Sequence, residues 1–298
     1  MPKDQAATLR DLAARKASQK RRAHHSRVMV VASGKGGVGK TNIAVNLGIA
    51  LAQRGSNVAI LDADMGLANV DIVLGLNPRY NLSHVINGER TLMEIMTRGP
   101  SGLGIIAGGS GVAELADIGQ RQLERFVASL EELDNALDIL LIDTGAGISR
   151  TVLSFALASD EALVVATPDP TSLADAYGLI KLLAIRNPQA QLRVVVNMCE
   201  NEKSGKEVFD KLNGVAMRFL SRKLDYAGSI PRDAMVQKAV QEFQPFYIAY
   251  PRCKAAIAIG RMAEGLLGDE LAGNARQAQE GPRGITGLFR KVMHLVKQ

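Results

Sequence analysis

The sequence predicts a doubly wound α/β domain, in which a mostly parallel sheet is covered by helices on both faces. Short aliphatic runs alternate with longer helical stretches, and apart from Arg193 these runs are apolar throughout, which is typical of strands buried on both faces. A glycine-rich turn follows the first run and leads into the first helix, a junction common in this fold class. The predicted strands cover residues 28–32, 58–61, 105–107, 139–142, 162–166 and 192–196, and the predicted helices include 41–54, 120–137, 172–185 and 206–221.

The composition is that of an ordinary globular protein. The 298 residues are 47% hydrophobic and 22% charged, far from disordered or collagen-like sequences. No uncharged apolar run reaches about 18 residues and the N-terminus is polar and basic, which argues against a spanning helix or a secretory signal and predicts a cytoplasmic protein. Cys199 and Cys253 are 54 positions apart, which argues against a disulfide framework, a zinc ribbon or a metal-cluster scaffold of paired cysteines.

The charge is distributed unevenly along the chain. Residues 1–27 carry eight Lys or Arg against two acids, residues 283–298 carry four against none, and the remainder is mildly acidic. We therefore expect four parts: a basic N-terminal segment at 1–27, the α/β domain at 28–270, a Gly-rich linker at 271–283 and a helix at 284–298. Basic ends on an acidic body suggest that the termini meet an anionic partner, although solvated tails are the alternative.

A phosphate-binding loop follows the first predicted strand. Its sequence GKGGVGKT has the spacing GxxxxGK[ST] and precedes a helical pattern, which is the context that gives this motif its meaning. Backbone N–H groups and the helix N-terminus would hold phosphate, Lys40 would bridge the β and γ oxygens, and Thr41 would ligate Mg²⁺. The predicted contacts are Gly34, Gly36, Gly37, Val38, Gly39, Lys40, Thr41 and Asn42.

Lys35 is the unusual residue of this loop, because an ordinary phosphate loop needs no cation directly after its first glycine. With it the loop resembles the deviant Walker A motif of ATPases of the MinD, ParA and nitrogenase-iron-protein type. That resemblance implies a doubly wound P-loop NTPase fold and a nucleotide-sandwich homodimer, in which Lys35 reaches the partner subunit's phosphates and acts in catalysis with Lys40. The alternative is an exposed, solvated lysine.

Acidic residues follow two of the predicted strands. Asp62 and Asp64 stand after residues 58–61, and Asp143 opens the sequence DTGAGI after residues 139–142. The first pair resembles switch I of the family, which implies that Asp64 orients the attacking water and that Asp62 lies near the metal's water shell. Asp143 reads as a Walker B aspartate that holds Mg²⁺ through water. No side chain here suggests a covalent nucleophile, so positioning, Mg²⁺ and the lysines would carry catalysis.

Recognition of the base is assigned to the end of the predicted sheet. Asn197 stands where family members contact adenine, and GSIPRD resembles their GxIPxD loop, which implies that Pro231 and Asp233 close over the base. No NKxD sequence is present, so ATP is preferred over GTP. The alternative is that Asn197 is only a turn residue.

The C-terminal stretch GITGLFRKVMHLVKQ predicts an amphipathic helix with a basic polar side. Such a helix after a flexible linker suits insertion into an anionic membrane surface, and MinD-like ATPases have this arrangement. Two copies on an ATP-bound dimer would gain avidity of about 10²–10⁴-fold. The alternative is a helix docked on its own domain. The predicted membrane residues are Ile285, Leu288, Phe289, Val292 and Val296.

At the other end, DQAATLR resembles the DQAxxLR element of the FlhG family, also called FleN or YlxH, whose members govern flagellar number and placement. The resemblance implies that this element acts on FlhF, an SRP-type GTPase, and it extends to flagellar C-ring proteins of the FliM and FliN type and to a flagellar transcriptional regulator as partners. The candidate contacts are Asp4, Gln5, Leu9 and Arg10.

Another class of function fits the same ATPase core, namely DNA partitioning of the ParA type. That function predicts basic residues on the folded body, whereas the body carries a net charge of −4. The basic stretch at 16–27 also has no aromatic residues for base stacking. Both observations argue against nucleic acid as the partner.

Overall fold

The computed structural model describes residues 25–64, 69–115, 118–273 and 284–296. Its described part contains one eight-stranded sheet with the order β3-β4-β2-β5-β1-β6-β7-β8. Neighbouring strands are parallel except β3 and β4, which are antiparallel. The predicted fold class is confirmed. The strands are β1 Arg27–Ser33, β2 Val58–Ala63, β3 Thr97–Arg98, β4 Gly104–Ala107, β5 Ile139–Ala146, β6 Glu161–Ala166, β7 Gln191–Cys199 and β8 Asp225–Pro231.

Helices cover both faces of this sheet, and each face has its own hydrophobic core. One face is covered mainly by α6 to α9 and α13, and the other by α1 and α10 to α12. The helices are α1 Lys40–Ala52, α2 Val70–Leu74, α3 Leu82–Ile86, α4 Leu92–Ile95, α5 Gly111–Glu114, α6 Gln120–Ala136, α7 Arg150–Ala158, α8 Pro170–Arg186, α9 Glu202–Leu220, α10 Ala234–Gln241, α11 Phe246–Ala249, α12 Lys254–Gly273 and α13 Gly284–Val296.

Local sequence explains where several of these elements begin. The Asp169 carboxylate accepts hydrogen bonds from the backbone N–H groups of Thr171 and Ser172, and Pro170 is the first residue of α8. An acidic N-cap followed by proline is a strong start signal for a helix. The central strands β1, β2 and β6 are almost entirely buried, as their uninterrupted apolar sequences require.

The sequence did not predict strands β3 and β8. Strand β3 is only two residues long, which is too short to leave a pattern. Strand β8 contains the sequence DYAGSIP and lies at the edge of the sheet, mostly half-buried. Its GSIPRD part was predicted as a loop because it resembles the GxIPxD loop of the family, and glycine and proline are uncommon inside strands. Pairing with β7 overrides that preference at an edge position.

The topology brings the carboxyl ends of β1, β2, β5 and β7 to one edge of the sheet. Strand β1 lies between β5 and β6: the connection after β1 runs to β2 on one side, and the connection after β5 runs to β6 on the other side. Ligands of doubly wound sheets bind at such a switch point. Asp62 in β2 is the direct register partner of Asp143 in β5. All candidate residues of the nucleotide site that the structure describes therefore lie at this edge.

Helix α13 differs from the predicted arrangement. Ile285, Leu288, Phe289 and Val292 are between 0% and 2% exposed and belong to the core on the α6 side of the sheet. The Phe289 ring packs edge-on against Phe126 of α6, with ring centroids 5.4 Å apart. The helix is therefore docked on its own domain in this structure, which is the alternative that the sequence left open, and contact of these four residues with a membrane stays a prediction. The helix docks because an apolar groove between α6 and α7 buries the same face of α13 that a membrane would bury.

Other predicted positions lie outside the described residues. They include the side chain of Val296, the N-terminal contacts Asp4, Gln5, Leu9 and Arg10, and most of the predicted linker. Helix α12 extends to Gly273, slightly past the predicted start of that linker. Within the described part of the chain, no helix combines the length and the apolar character needed to cross a bilayer.

Candidate nucleotide site

The phosphate loop lies between β1 and α1, as predicted. Gly37 and Gly39 have φ angles of 74° and 90°, in the left-handed region that favours glycine. A Cβ at Gly34 would lie 2.3 Å from the Asp175 carbonyl oxygen, and one at Gly39 would lie 2.5 Å from Asn197 Nδ2. These glycines are therefore required by sterics, while the exposed backbone at Gly37 is open to a ligand.

Lys40 lies at the centre of the charged site. Its side chain emerges from the first residue of α1 and is only 8% exposed. Desolvation lowers the pKa of Lys40, and the nearby Asp143 and Asp64 carboxylates oppose this shift. A buried ammonium group between carboxylates, directly after a phosphate loop, is placed to meet the charge of a bound phosphate.

Asp143 gives the clearest indication of a metal site. Both of its carboxylate oxygens are buried without a hydrogen-bond partner among the described residues. Burial raises the pKa of Asp143 to about 7, and the neighbouring Thr41 hydroxyl and Lys40 counteract that rise. An orphaned buried carboxylate beside a hydroxyl fits a hydrated Mg²⁺ ion. The described residues contain no cluster of three His, Cys, Asp or Glu side chains that could hold a metal, so phosphate and water oxygens would complete the coordination.

Asp143→Asn is expected to stabilise the nucleotide-free protein, since its folded-state pKa of about 7 lies above the ordinary value of 3.8. The ionised carboxylate opposes folding, so the wild-type chain loses stability as pH rises through 7. The variant's melting temperature should exceed that of the wild type clearly at pH 8 and much less at pH 5, in thermal unfolding without Mg²⁺. Asp62→Asn is the matched control and should destabilise the chain by about 1–3 kcal/mol, because its carboxylate has backbone partners. A wild type more stable than Asp143→Asn at pH 8 would contradict the assignment.

Asp62 has a structural task that the sequence did not reveal. Its carboxylate accepts hydrogen bonds from the backbone N–H groups of Asp64, Asn69 and Val70, at 3.0–3.2 Å. It thereby fixes both ends of the loop that follows β2. Burial raises the pKa of Asp62, and these hydrogen bonds oppose the rise. A place near the metal's water shell stays a prediction.

Asp64 directly follows β2, close to Gly145 of β5. Its carboxylate approaches Gly145, where a Cβ would lie 3.3 Å from Asp64 Oδ1. It also acts electrostatically on Lys40 and Asp143. The structure thus brings Asp64, Lys40 and Asp143 together. The assignment of Asp64 as a catalytic residue stays a prediction.

Lys35 does not point to the site of its own chain. Its Nζ lies 3.3 Å from Asp169 Oδ1 at the start of α8 and also contacts the Thr171 hydroxyl. The Thr171 hydroxyl, the Ser172 backbone N–H and Lys35 lower the pKa of Asp169 to about 2. The Lys35 side chain is 42% exposed, and ion pairs this exposed are weak. Lys35 is therefore held loosely on its own chain.

A cavity of about 380 Å³ lies beside the phosphate loop where the base was predicted. Its lining includes the predicted residues Asn42, Asn197, Pro231 and Asp233. Asn197 Nδ2 donates a 2.8 Å hydrogen bond to the Val38 carbonyl. The structure therefore gives Asn197 a second task, which is to hold the loop.

Asp233 also stabilises the walls of this cavity. One carboxylate oxygen caps α10 by accepting from Met235 N at 2.9 Å, and the other accepts from Lys254 N at 2.8 Å, where α12 begins. Contacts of Asn197 and Asp233 with the base remain predictions.

Sequence analysis missed Met198 and Arg232. Both line the base cavity and a second cavity of about 490 Å³ above Lys35 and Gly36. Met198 has a φ of 56°, which is uncommon for a residue other than glycine. Arg232 stands inside the GSIPRD stretch, between the predicted base contacts Pro231 and Asp233. Its position in the sequence could therefore have identified it as a candidate for the nucleotide site. Its exposed guanidinium lies between the base and phosphate regions.

Comparison with known proteins decides the family. A family model described as "ParA: NUBPL iron-transfer P-loop NTPase" matches residues 24–267. The chain belongs to the ParA/MinD family of P-loop NTPases. It is similar to the antiactivator FleN of Pseudomonas aeruginosa, with 43% identity over 81% of this chain and 86% of FleN. It is also 34% identical to the flagellum site-determining protein YlxH of Helicobacter pylori, over 90% of each chain.

Solved structures of family members agree with this assignment. The MinC:MinD cell division complex of Aquifex aeolicus contains a chain that matches with a TM-score of 0.65 and 26% identity, over 87% of this chain and 99% of that one. MinD of Pyrococcus horikoshii, which was solved with Mg-ADP, matches with a TM-score of 0.64 at 23% identity, which shows the fold alone. Family membership confirms the predicted P-loop fold and the resemblance to FlhG, FleN and YlxH.

Proposed function

We propose that this protein is an ATP-dependent, dimerising ATPase that associates with the membrane and regulates the number and placement of flagella. The observation that carries the proposal is the pairing of a phosphate loop of the deviant Walker A type with a docked helix α13 that has a buried apolar face. Similarity to FleN and YlxH supports the flagellar part of the proposal.

The residues of the site divide the work of ATP hydrolysis. Backbone N–H groups of the loop hold the phosphates, Lys40 neutralises charge on the transferring group, and Asp64 orients the attacking water. Thr41 and Asp143 would hold Mg²⁺ and its water. When bound, Mg²⁺ supplies positive charge that neutralises the phosphate oxygens. The second lysine, Lys35, would come from the partner subunit.

Dimerisation supplies the switch in this proposal. Lys35 would leave Asp169 and reach the nucleotide of the other subunit, which exchanges a weak exposed ion pair for a charge-assisted contact with phosphate. ATP would therefore favour the dimer over the monomer. Hydrolysis would remove the γ-phosphate and release the two subunits.

Lys35→Ala should abolish ATP-dependent dimerisation while leaving the folded monomer intact, because Lys35 is held only by an exposed pair. The measurement is molar mass by light scattering during gel filtration, with Mg²⁺ and an ATP analogue that resists hydrolysis. Lys211→Ala, which changes an exposed lysine on α9, is the matched control and should dimerise normally. If the Lys35→Ala variant dimerises as strongly as the control variant, the assignment of Lys35 as the residue that reaches the partner subunit's phosphates is wrong.

Membrane association requires α13 to leave its groove, because its apolar side chains are buried in the described structure. A single released helix would bind weakly, and two helices on one dimer would gain about 10²–10⁴-fold by avidity. The protein would then cycle between the cytoplasm and the inner face of the cell membrane. Arg290, Lys291 and His294 would face anionic headgroups.

The proposed partners follow the FlhG resemblance. The N-terminal element with Asp4, Gln5, Leu9 and Arg10 would act on an FlhF-type GTPase. Flagellar C-ring proteins of the FliM and FliN type and a flagellar transcriptional regulator would be further partners.

Counting flagella tests the function in the source bacterium. Deletion of the gene should change the number or position of flagella seen by electron microscopy, and the wild-type gene should restore the pattern. Genes carrying Lys40→Ala should fail to restore it, and Lys211→Ala should succeed. Unchanged flagella in the deletion strain would rule out the flagellar role but leave the ATPase assignment standing.

A further inference from the structure

An open groove of about 660 Å³ runs between α6 and α13. Its floor is formed by Leu123, Val127 and Met293, so it is apolar. Glu124 and Glu131 stand on the α6 side, while Arg290 and His294 stand on the α13 side. The groove lies away from the nucleotide site, and neither the phosphate loop nor the base cavity explains it.

The groove becomes acidic at the C-terminal end of α6. Glu131, Glu132 and Asp134 lie in the last two turns, which contain no basic residue. Carboxylates at a helix C-terminus are disfavoured by the helix dipole. This end of α6 therefore presents concentrated negative charge, which a basic segment would relieve.

The N-terminal part of the chain meets the body at this same place. Ser26 N donates to Asp134 Oδ1 at 3.0 Å, and Ser26 Oγ donates to the carbonyl oxygens of Asp134 and Leu137 at 2.9 Å. His25 Nδ1 lies 3.9 Å from Asp134 Oδ2. The residues before His25 thus join the body one helical turn from Glu131.

The length and charge of the preceding segment fit the groove. Residues 1–24 contain seven Lys or Arg and two Asp, and Lys20, Arg21 and Arg22 come shortly before His25. At about 3.3–3.6 Å per residue, these three reach up to roughly 10–18 Å from His25. Along α6, Glu131 lies about 5 Å and Glu124 about 15 Å from Asp134. The basic triplet can therefore reach the acidic wall.

We propose that the groove between α6 and α13 binds the chain's own N-terminal segment, residues 1–24, with Lys20, Arg21 and Arg22 against Glu131 and Glu132. Asp134 links this docking to α13, because its Oδ1 also accepts a hydrogen bond from Ile285 N at 3.2 Å. The carboxylate thus holds the N-terminal segment and the start of α13 together. A partner that binds the segment would weaken this link and favour release of α13.

Photo-crosslinking in the full, nucleotide-free chain tests the docking. Benzoylphenylalanine replaces Ala128, an exposed residue in the groove, or Val215, a 39% exposed control residue on α9. An equal mixture of ¹⁵N-labelled and unlabelled protein separates crosslinks within one molecule from those between molecules. We expect crosslinks from position 128 to residues 1–24 of the same molecule, weakened at high salt, and none from position 215.

Charge reversal makes the test specific. The triple variant Lys20→Glu, Arg21→Glu and Arg22→Glu should lower the crosslink yield by about fivefold or more, and adding Glu131→Lys and Glu132→Lys should restore it. Amide hydrogen exchange in α13 should become about three- to tenfold faster in the triple variant. Crosslinks only between molecules would give the groove to a second copy. Crosslinks of that kind alone would overturn the proposal. So would equal crosslink yields from positions 128 and 215, or the absence of any crosslink from position 128 to residues 1–24. Unchanged amide exchange in α13 in the triple variant would overturn it as well.

Discussion

Lys40→Ala should lower ATP turnover by about 10²–10³-fold, which is the typical cost of removing one electrostatic contact from a transition state. Lys40 is buried between Asp143 and Asp64, whereas Lys35, the other lysine of the loop, contacts Asp169 instead. The variant also leaves these carboxylates without their cation, which weakens binding of the phosphates. Phosphate release in the presence of Mg²⁺ and ATP gives the rate.

Lys35→Ala gives the control for this result. If Lys35 acts from the partner subunit, Lys35→Ala should reduce ATP turnover mainly at the protein concentrations at which dimers form. Lys40→Ala should instead reduce turnover at every protein concentration. A Lys40→Ala rate within about tenfold of the wild type would show that the site does not work as a phosphate-transfer centre.

Phe126→Ala should release α13 without altering its membrane face. Phe126 is fully buried and its ring packs against Phe289, and truncation of a buried phenylalanine costs about 3–5 kcal/mol. Much of that loss falls on the docked state of α13, because the cavity opens beneath it. Binding to anionic liposomes should then become detectable with ADP, although it should stay weaker than with ATP, because only the ATP-bound dimer presents two helices. The measurement is the fraction of protein that sediments with the liposomes.

A matched control separates release of α13 from general instability. Phe209→Ala truncates another buried phenylalanine, which packs against Tyr226 with ring centroids 4.9 Å apart and lies on α9. It should lower stability comparably but leave liposome binding dependent on ATP. Equal liposome binding by both variants in ADP would show that instability, rather than release of α13, exposes the membrane face.

Sequence patterns predicted the parts of the molecule that depend on local constraints. Strands β1, β2, β5 and β7 are each built around a short apolar run, and the loop from Gly34 to Thr41 has a fixed spacing. Strand β8 was not predicted, because an edge strand tolerates Gly, Ser and Pro, which are not typical of strand sequences. Such a strand is stabilised by its neighbour β7, which lies far away in the sequence.

The docking of α13 could not be predicted from its amphipathic pattern. A membrane and a groove on the domain bury the same apolar face, and only the three-dimensional position of Phe126 and Phe155 decides between them. The second tasks of Asp62 and Asn197 were hidden for a similar reason. Their partners are backbone groups of loops, and side-chain motifs do not record backbone partners.

In the proposed cycle, ATP controls whether α13 reaches a membrane. Sedimentation with anionic liposomes in ATP and in ADP, for the full chain and for a chain ending at Arg283, tests it most directly. The account predicts co-sedimentation only with ATP and only when residues 284–298 are present. Equal sedimentation of the full chain in ATP and ADP, or equal sedimentation of the two chains in ATP, would contradict it.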